Sequence, residues 1–315
     1  MYFIVTNPKA ERGRTMFYLP MLTNLFDAEG IPYETHITTG EGDAREKTLK
    51  FCQKNPSLQG VISIGGDGTI QETVSAMAEA YPDLPKIPVP LGIFPSTTGT
   101  DFILSLEGGK KKAKAKYQNT EAVCKGLFED IKNKNCRAVD VLTANNMAFL
   151  NIGHVGIDVR ITKNATELKQ KYDQYAFFAA IFKSIREHKN MPLTVETDAK
   201  TYKNEYTMVT VANGQYYGGG MHICPTAKLD DGKMTLCQIT KMSRPRAMTV
   251  FPTVFWGKVH LLKESEFAEC TSIKITLPPG EETLCLDGNL FPCSGEIEFK
   301  ILPKALDIFH SGGHV

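Results

Sequence analysis

A glycine-rich turn between a strand and a helix constrains this chain most strongly. The apolar run Val61–Ile64 is typical of a buried strand, and residues 70–79 are expected to form the helix after the turn. Glycines let backbone N–H groups approach an anion closely, and the N-terminus of a helix adds a favourable field. Asp67, which lies between the glycines, is a carboxylate suited to hold Mg²⁺ against phosphate oxygens. The turn therefore predicts a nucleotide-phosphate site.

The same turn also has a simpler interpretation as a helix cap. Thr69 and Glu72 have the spacing of a capping box, which any helix can use. Capping alone does not need three glycines crowded around one aspartate, as they are in residues 65–68. The nucleotide site is therefore the favoured interpretation.

Length and composition limit the class of protein. The 315 residues are enough for two domains. The net charge of +1 gives no steering toward nucleic acid, and the eight cysteines form no C-x-x-C pair. Reduced cysteines in a cytoplasmic protein are therefore expected. Because no apolar run has the length of a membrane span, any membrane contact is expected to be peripheral, at the inner face.

The first part of the chain alternates strands with helices, which indicates a parallel sheet with helices on both faces. Ligands of such sheets lie at the carboxyl ends of the strands. Four turns are expected on that edge, at Asn7 and at residues 38–43, 65–69 and 95–102.

After a helix at Thr120–Asn133 the chain changes to strands joined by glycine and asparagine turns, which predicts a β-sandwich. The predicted strands are 138–143, 147–154, 193–197, 206–212, 234–240, 272–277 and 296–301, with helices near 165–189 and 244–262. The lysine run Lys110–Lys116 is expected to be a solvated loop. The predicted fold class is thus α/β plus all-β.

The motifs, taken in order, resemble those of the diacylglycerol kinase catalytic-domain family, of the soluble bacterial lipid kinase type. They are Asn7-Pro8, Thr38 with Gly42 to Ala44, Gly65 to Thr69 with Glu72, Pro95 to Phe102, Phe149 to Asn151 with Gly156, Ala212 to Gly214 with Gly218 to Gly220, Pro225 and Ala227 with Asp230 to Gly232, and Asp287-Gly288. The glycine motif is shared with NAD kinases, but the ordered set is specific.

The resemblance implies a doubly wound nucleotide-binding α/β domain of residues 1–136, to which residues 301–315 return, and an acceptor-binding β-sandwich of residues 137–300. It also implies an ATP- and Mg²⁺-dependent kinase acting on a lipid hydroxyl such as that of diacylglycerol. The expected partner is a lipid at the membrane surface and not a nucleic acid. The oligomeric state, a homodimer included, stays open.

The resemblance also assigns residues. Contacts with ATP are expected from Asn7, Thr38, Gly65, Gly66, Asp67, Gly68, Thr69, Ile70, Gln71, Glu72, Thr98 and Asp101. Asp67 would also act in catalysis and hold the catalytic Mg²⁺. A structural Mg²⁺ is expected at Asp231, with the backbone carbonyls of Lys228 and Lys233 as helpers, and a plain hairpin loop is an equal alternative there.

Three positions depart from the family pattern. Thr97 stands where the family has glycine and Thr100 where it has asparagine, and a β-branched residue blocks close backbone approach. Asn289 stands where the family has the glutamate that acts as its general base. An amide cannot accept a proton at neutral pH, although phosphoryl transfer depends mainly on positioning and charge stabilisation.

Two alternatives to a lipid kinase remain open. An NAD kinase-like enzyme shares the glycine motif but is expected to carry a paired Asn-Glu after it, and none follows in residues 70–136. A protein that binds nucleotide or lipid without turnover is compatible with the loss of the base at Asn289.

Overall fold

The structure is a computed structural model and describes residues 1–95, 100–172 and 176–311. The first part of the chain contains β1 (Tyr2–Thr6), α1 (Thr15–Ala28), β2 (Tyr33–Ile37), α2 (Asp43–Lys54), β3 (Gly60–Gly65), α3 (Asp67–Ala80), β4 (Leu91–Pro95), α4 (Asp101–Leu106), α5 (Lys110–Lys116) and α6 (Thr120–Asn133). Strands and helices alternate from β1 to β4 as the sequence predicts.

The first sheet is parallel, in the order β2-β1-β3-β4. Alternate residues of β1 face opposite sides of this sheet, because side chains in a strand alternate. Phe3 packs with α2 and α3, where its ring stacks on Phe51 at 4.3 Å. Ile4 packs on the other face with Leu22 of α1 and Phe128 of α6. The helices therefore cover both faces, and the carboxyl ends of the strands stay open for a ligand.

The second part is mostly antiparallel strands with helices at one side. Its elements are β5 (Cys136–Ala144), β6 (Met147–Phe149), β7 (Ile152–Gly156), α7 (Ile157–Tyr172), α8 (Ala176–Glu187), β8 (Met191–Thr197), β9 (Thr201–Ala212), β10 (Tyr216–Tyr217), β11 (Met221–His222), β12 (Met234–Thr240), α9 (Arg244–Val250), β13 (Ser265–Cys270), β14 (Ser272–Thr276), β15 (Glu282–Leu286), β16 (Asn289–Cys293) and β17 (Glu296–Phe309). The fold class predicted from the sequence, α/β followed by a β-sandwich, is confirmed.

The strand β17 connects the two parts. Its first half pairs with β14, and its last residues run parallel to β4, where Ile308 pairs with Leu91. The pairing of β17 with β5 shifts register between Leu302 and Leu306, and Lys304 in that interval has a φ of 50°. A bulge of this kind bends a strand, so one strand serves both sheets. The division of the chain at residues 136 and 300 stays a prediction.

The sequence-based prediction of local structure was wrong at several places: the predicted strand 147–154 is divided into β6 and β7, and the lysine run is not a loop. Residues 110–116 form α5 and not a solvated loop. Ala113 is fully buried in this helix, and the Lys116 ammonium lies 2.7 Å from the Glu107 carboxylate. The packing of Ala113 and the ion pair of Lys116 with Glu107 thus stabilise a helix in a segment whose many lysines favour exposure to solvent. No helix in the described ranges is both long and apolar enough to cross a membrane.

Candidate active site at the glycine turn

The glycine turn forms one wall of a polar cavity of about 600 Å³ at the carboxyl ends of the first sheet. We call it the nucleotide cavity. The predicted residues that line it are Asn7, Thr38, Gly66, Gly68, Thr69, Glu72 and Asn289. Asn7 donates a hydrogen bond from Nδ2 to Thr69 Oγ1 at 3.2 Å, which joins the end of β1 to the start of α3.

Other predicted residues lie behind this wall. Ile70 is buried in the hydrophobic core, and the buried Gln71 donates from Nε2 to the Ala148 carbonyl oxygen at 3.0 Å. A Cβ atom on Gly65 would lie 2.7 Å from Thr69, so glycine is needed there for close packing. Thr98, like Thr97, lies outside the described residues.

The helix after the turn begins earlier than predicted and has a different cap. α3 starts at Asp67, with Gly66 at its N-cap and no side chain accepting a hydrogen bond there. Glu72 instead accepts from the backbone N–H groups of Gly42, the N-cap of α2, and of Arg45 in the first turn of that helix, at 3.0 and 3.4 Å. The capping-box interpretation of Thr69 and Glu72 was therefore wrong, because Glu72 caps the neighbouring helix.

Asp67 is half-buried and holds the start of α4. Its two carboxylate oxygens accept from the backbone N–H groups of Asp101 and Phe102, at 2.9 and 3.1 Å. Burial raises the pKa of Asp67 to about 6. Each carboxylate oxygen has two acceptor positions, so Asp67 retains capacity for a cation, and Mg²⁺ commonly uses only one or two carboxylates beside phosphate and water.

Asp101 joins α4 to the second part of the chain. Its carboxylate accepts from the backbone N–H groups of Gly219 and Gly220, at 3.0 and 2.6 Å. Burial, and secondarily the neighbouring Asp67, raise the pKa of Asp101 well above its ordinary value. Asp101 is thus a structural link between the two parts and lies outside the nucleotide cavity.

Asp287 holds the turn between β6 and β7. It accepts from the backbone N–H groups of Leu150, Asn151 and Ile152, at 2.7 to 3.3 Å. Burial raises the pKa of Asp287 to about 7. Its φ of 46° is left-handed, a conformation that aspartate adopts more readily than most residues do. The first residue of the Asp-Gly motif therefore has a structural use.

Removing that carboxylate should destabilise the protein strongly. We expect Asp287→Ala to lower the free energy of unfolding by about 3–5 kcal/mol, because three buried N–H groups lose their acceptor. Asp287→Asn keeps one carbonyl oxygen and should lose less. Urea denaturation of the two variants and the wild type measures the difference. Equal stability of all three proteins would contradict this role.

Asn289 faces the glycine turn, at the position to which the resemblance assigns it. Its Nδ2 donates to the Gly68 carbonyl oxygen at 2.9 Å and to Gln71 Oε1 at 2.8 Å. A Cβ atom on Gly68 would lie 2.7 Å from Asn289 Oδ1, so glycine allows this approach. The amide acts here as a donor, which a carboxylate in the same place could not do.

A second cavity, of about 610 Å³, adjoins the first. We call it the acceptor cavity. Asp67, Asp101 and Asp287 lie at its polar end, and its apolar lining is Ile161, Ala165, Phe178, Met221 and Phe255. Gly68, Gly288 and Asn289 line both cavities, so the two meet between the glycine turn and the Asp-Gly turn.

Sequence reasoning missed part of the acceptor cavity. His154, Asp158 and Tyr217 line it, the first two buried and Tyr217 half-buried. None of the three was assigned to the site from the sequence. A signal was available for Asp158, because it is a carboxylate directly between two apolar residues, Ile157 and Val159.

The turn predicted to bind a structural Mg²⁺ is exposed. Asp231 accepts from the Lys233 backbone N–H at 3.1 Å, and Lys233 Nζ pairs with Glu269. Among the residues that the structure describes, no three His, Cys, Asp or Glu side chains gather in a geometry that could hold a metal. The Mg²⁺ site at Asp231, with the carbonyls of Lys228 and Lys233, stays a prediction.

Two family models match this chain, one in each half. The diacylglycerol kinase catalytic domain matches residues 1–143, and the YegS C-terminal NAD kinase beta sandwich-like domain matches residues 152–310. The diacylglycerol kinase of Staphylococcus haemolyticus is 27% identical over 241 residues, which cover 76% of this chain and 67% of that protein. For the diacylglycerol kinase of Staphylococcus aureus the identity is 27%, and 70% of that protein is covered.

Solved structures from Bacillus anthracis strain Sterne show the same fold. A crystal structure of a diacylglycerol kinase has a TM-score of 0.66 at 21% identity, with 98% of this chain and 96% of that chain covered. Another has a TM-score of 0.75 at 23% identity, with 98% and 97% covered. These structures show the fold, and the family models that match residues 1–143 and 152–310 show that the chain belongs to the diacylglycerol kinase catalytic-domain family, with a YegS-type β-sandwich as its second half.

Proposed function

We propose that this protein is an ATP- and Mg²⁺-dependent kinase that phosphorylates a lipid hydroxyl. The observation that carries the proposal is the meeting of a polar and a largely apolar cavity at Gly68, Gly288 and Asn289. Phosphates bind where a glycine turn opens a helix, and an apolar cavity suits a lipid. Donor and acceptor would then meet beside Asp67.

In the proposed reaction the lipid oxygen bonds to the γ-phosphorus of ATP while the bond from that phosphorus to the β,γ-bridging oxygen breaks. ADP leaves, and the proton of the hydroxyl passes to phosphate or solvent because Asn289 cannot accept it. The backbone N–H groups at the start of α3 would orient the phosphates. Asp67 would hold Mg²⁺, which neutralises phosphate charge when bound.

A second candidate is a protein that binds nucleotide or lipid without turnover. The observation that favours it is the use of Asn289 as a hydrogen-bond donor to Gly68 and Gln71. These bonds hold the side chain against the glycine turn, and an amide supplies no general base at this position.

The two candidates are separated by measuring binding and turnover on one preparation. We expect Mg·ATP to raise the melting temperature and ATP to be consumed only when a lipid alcohol is present. NAD as acceptor is the control for an NAD kinase-like activity. Binding of Mg·ATP without consumption would support the non-catalytic protein, and neither binding nor consumption would reject the kinase.

The acceptor cavity opens beside a group of exposed apolar side chains. Phe178 stacks on Phe255 at 6.3 Å, and both line the cavity. Phe182, one turn after Phe178 in α8, is 57% exposed. Trp256, next to Phe255, is 68% exposed, and Leu261, five residues further along the chain, is 69% exposed. We propose that this surface docks on a lipid bilayer, because a lipid could then pass into the cavity without crossing water.

Trp256 is the one tryptophan of the sequence, so its fluorescence reports on this surface alone. Vesicles containing anionic phosphatidylglycerol should shift its emission to shorter wavelength, because the indole enters the bilayer interface. Leu261→Asp should weaken vesicle binding by about tenfold. Leu84→Asp, at an exposed leucine of the first part, is the control. Unchanged emission, or equal weakening by both substitutions, would reject the docking surface.

A further inference from the structure

One helix of the second part of the chain, α7, lines both the nucleotide cavity and the acceptor cavity. Within the described ranges, the residues shared by the two cavities are Gly68, Thr162, Thr166, Gly288 and Asn289. Thr162 and Thr166 belong to α7 and are four positions apart, so they lie on the same face of that helix. Because the γ-phosphoryl group of ATP has to pass from one cavity to the other, it would lie among these five residues during transfer.

The threonines differ from the other three shared residues in what their side chains can donate to a phosphate. Asn289 Nδ2 donates to the Gly68 carbonyl oxygen and to Gln71 Oε1, which uses both hydrogens of the amide. The two glycines offer only backbone groups. Of the five shared residues, the two threonines are thus the ones that carry a hydroxyl able to turn toward a phosphate oxygen.

Thr166 is the more accessible of the two threonines. It is exposed, whereas Thr162 is half-buried. Thr166 Oγ1 donates to the Thr162 carbonyl oxygen at 3.1 Å. In an α-helix that oxygen also accepts the backbone N–H four residues later, so it keeps a partner when the hydroxyl turns away. The Thr166 hydroxyl can therefore change its acceptor without leaving a group of the helix unpaired.

We propose that Thr166 Oγ1 donates a hydrogen bond to the γ-phosphate of bound ATP, and that α7 thereby distinguishes the triphosphate from ADP. The inference deepens the proposed function and rests on it for the identity of the nucleotide. A hydrogen bond to a charged oxygen is about twice as strong as one between neutral groups, so the phosphate displaces the Thr162 carbonyl oxygen as acceptor. ADP ends at the β-phosphate, and with ADP bound the hydroxyl keeps its bond within the helix.

The test compares the affinity of the full chain for two nucleotides, measured by calorimetry with Mg²⁺ and without lipid. They are the non-hydrolysable β,γ-imido analogue of ATP, and ADP. We expect Thr166→Val, which removes the hydroxyl and keeps the branched shape, to weaken binding of the analogue by about 10- to 100-fold and to leave ADP binding unchanged. Thr166→Ser keeps a hydroxyl and should retain the wild-type preference. Thr249→Val is the matched control, because Thr249 is also an exposed helical threonine whose hydroxyl donates to a backbone carbonyl oxygen, that of Arg246.

Phosphoryl transfer from ATP to a lipid alcohol is measured on the same proteins, and melting temperatures show that each is folded. Thr166→Ala replaces Thr166→Val if the valine variant is unstable. Loss of the preference in Thr166→Val, without transfer by the wild type, would support the contact with the γ-phosphate and reject the kinase. Transfer by the wild type with an unchanged preference in Thr166→Val would reject this inference alone. Equal weakening of both nucleotides would also reject it, since a structural defect lowers both affinities, and binding of neither nucleotide by the wild type would reject both proposals.

Discussion

Asn289→Glu is expected to raise the rate of phosphoryl transfer to a lipid hydroxyl by about 10²- to 10⁴-fold, which is the contribution of a positioned general base. The side chain lies where the two cavities meet, so a carboxylate there would face the acceptor hydroxyl. The new glutamate cannot donate to Gly68 or Gln71 as Asn289 does. If the Gln71 amide turns to donate toward the glutamate, its Nε2 bond to the Ala148 carbonyl oxygen is lost, so the variant should also be less stable by about 1–3 kcal/mol.

The control for this variant is Asn289→Gln, because a glutamine side chain is as long as that of glutamate and carries no carboxylate. It should show no gain in rate. The gain in Asn289→Glu should also disappear as the pH falls through the pKa of the new carboxyl, about 4.3 for an unperturbed glutamate, because only the ionised form accepts a proton. Steady-state rates of both variants from pH 4 to 8 measure this. An equal gain in both, or none in either although Mg·ATP binds, would show that a missing base is not what limits the rate.

Asp67→Asn is expected to lower the transfer rate by about 10³-fold and to abolish stabilisation by Mg·ATP. The physical reason is the loss of the charge that would hold Mg²⁺ against the phosphates, an effect worth several kcal/mol in the transition state. The amide keeps one oxygen as acceptor for the start of α4, whereas Asp67→Ala leaves both N–H groups without their partner. The alanine variant should therefore also be less stable without ligand, by about 1–2 kcal/mol.

This comparison separates the two uses of Asp67. Melting temperatures with and without Mg·ATP are measured for both variants and for Asp83→Ala, an exposed aspartate of the same part of the chain. The control should behave like the wild type in both conditions. If Mg·ATP stabilised Asp67→Asn as much as the wild type, Asp67 would be a structural residue alone and the assignment of Mg²⁺ to it would be wrong.

The sequence by itself determined the features that depend on short stretches of chain. The apolar strand, the glycine turn and the helix after it are encoded within residues 60–80, and the helix Thr120–Asn133 has the predicted bounds. Strand–helix alternation and its later loss predicted the fold class, because side-chain periodicity is a local property. The family resemblance also singled out Asn289 as the position of the general base, although it is far from the glycine turn in the chain.

Only the tertiary structure decided which groups these residues contact. The carboxylates of Glu72, Asp67 and Asp101 each accept N–H groups of an element other than their own, and no spacing in the sequence specifies such partners. Asn289 reaches Gly68 across 221 positions because β16 and α3 are packed together. Within the described residues, the ring nitrogens of His154 and Asp158 Oδ2 have no hydrogen-bond partner. This too is decided by the tertiary structure, since a polar group lacks a partner only where folding has removed it from water.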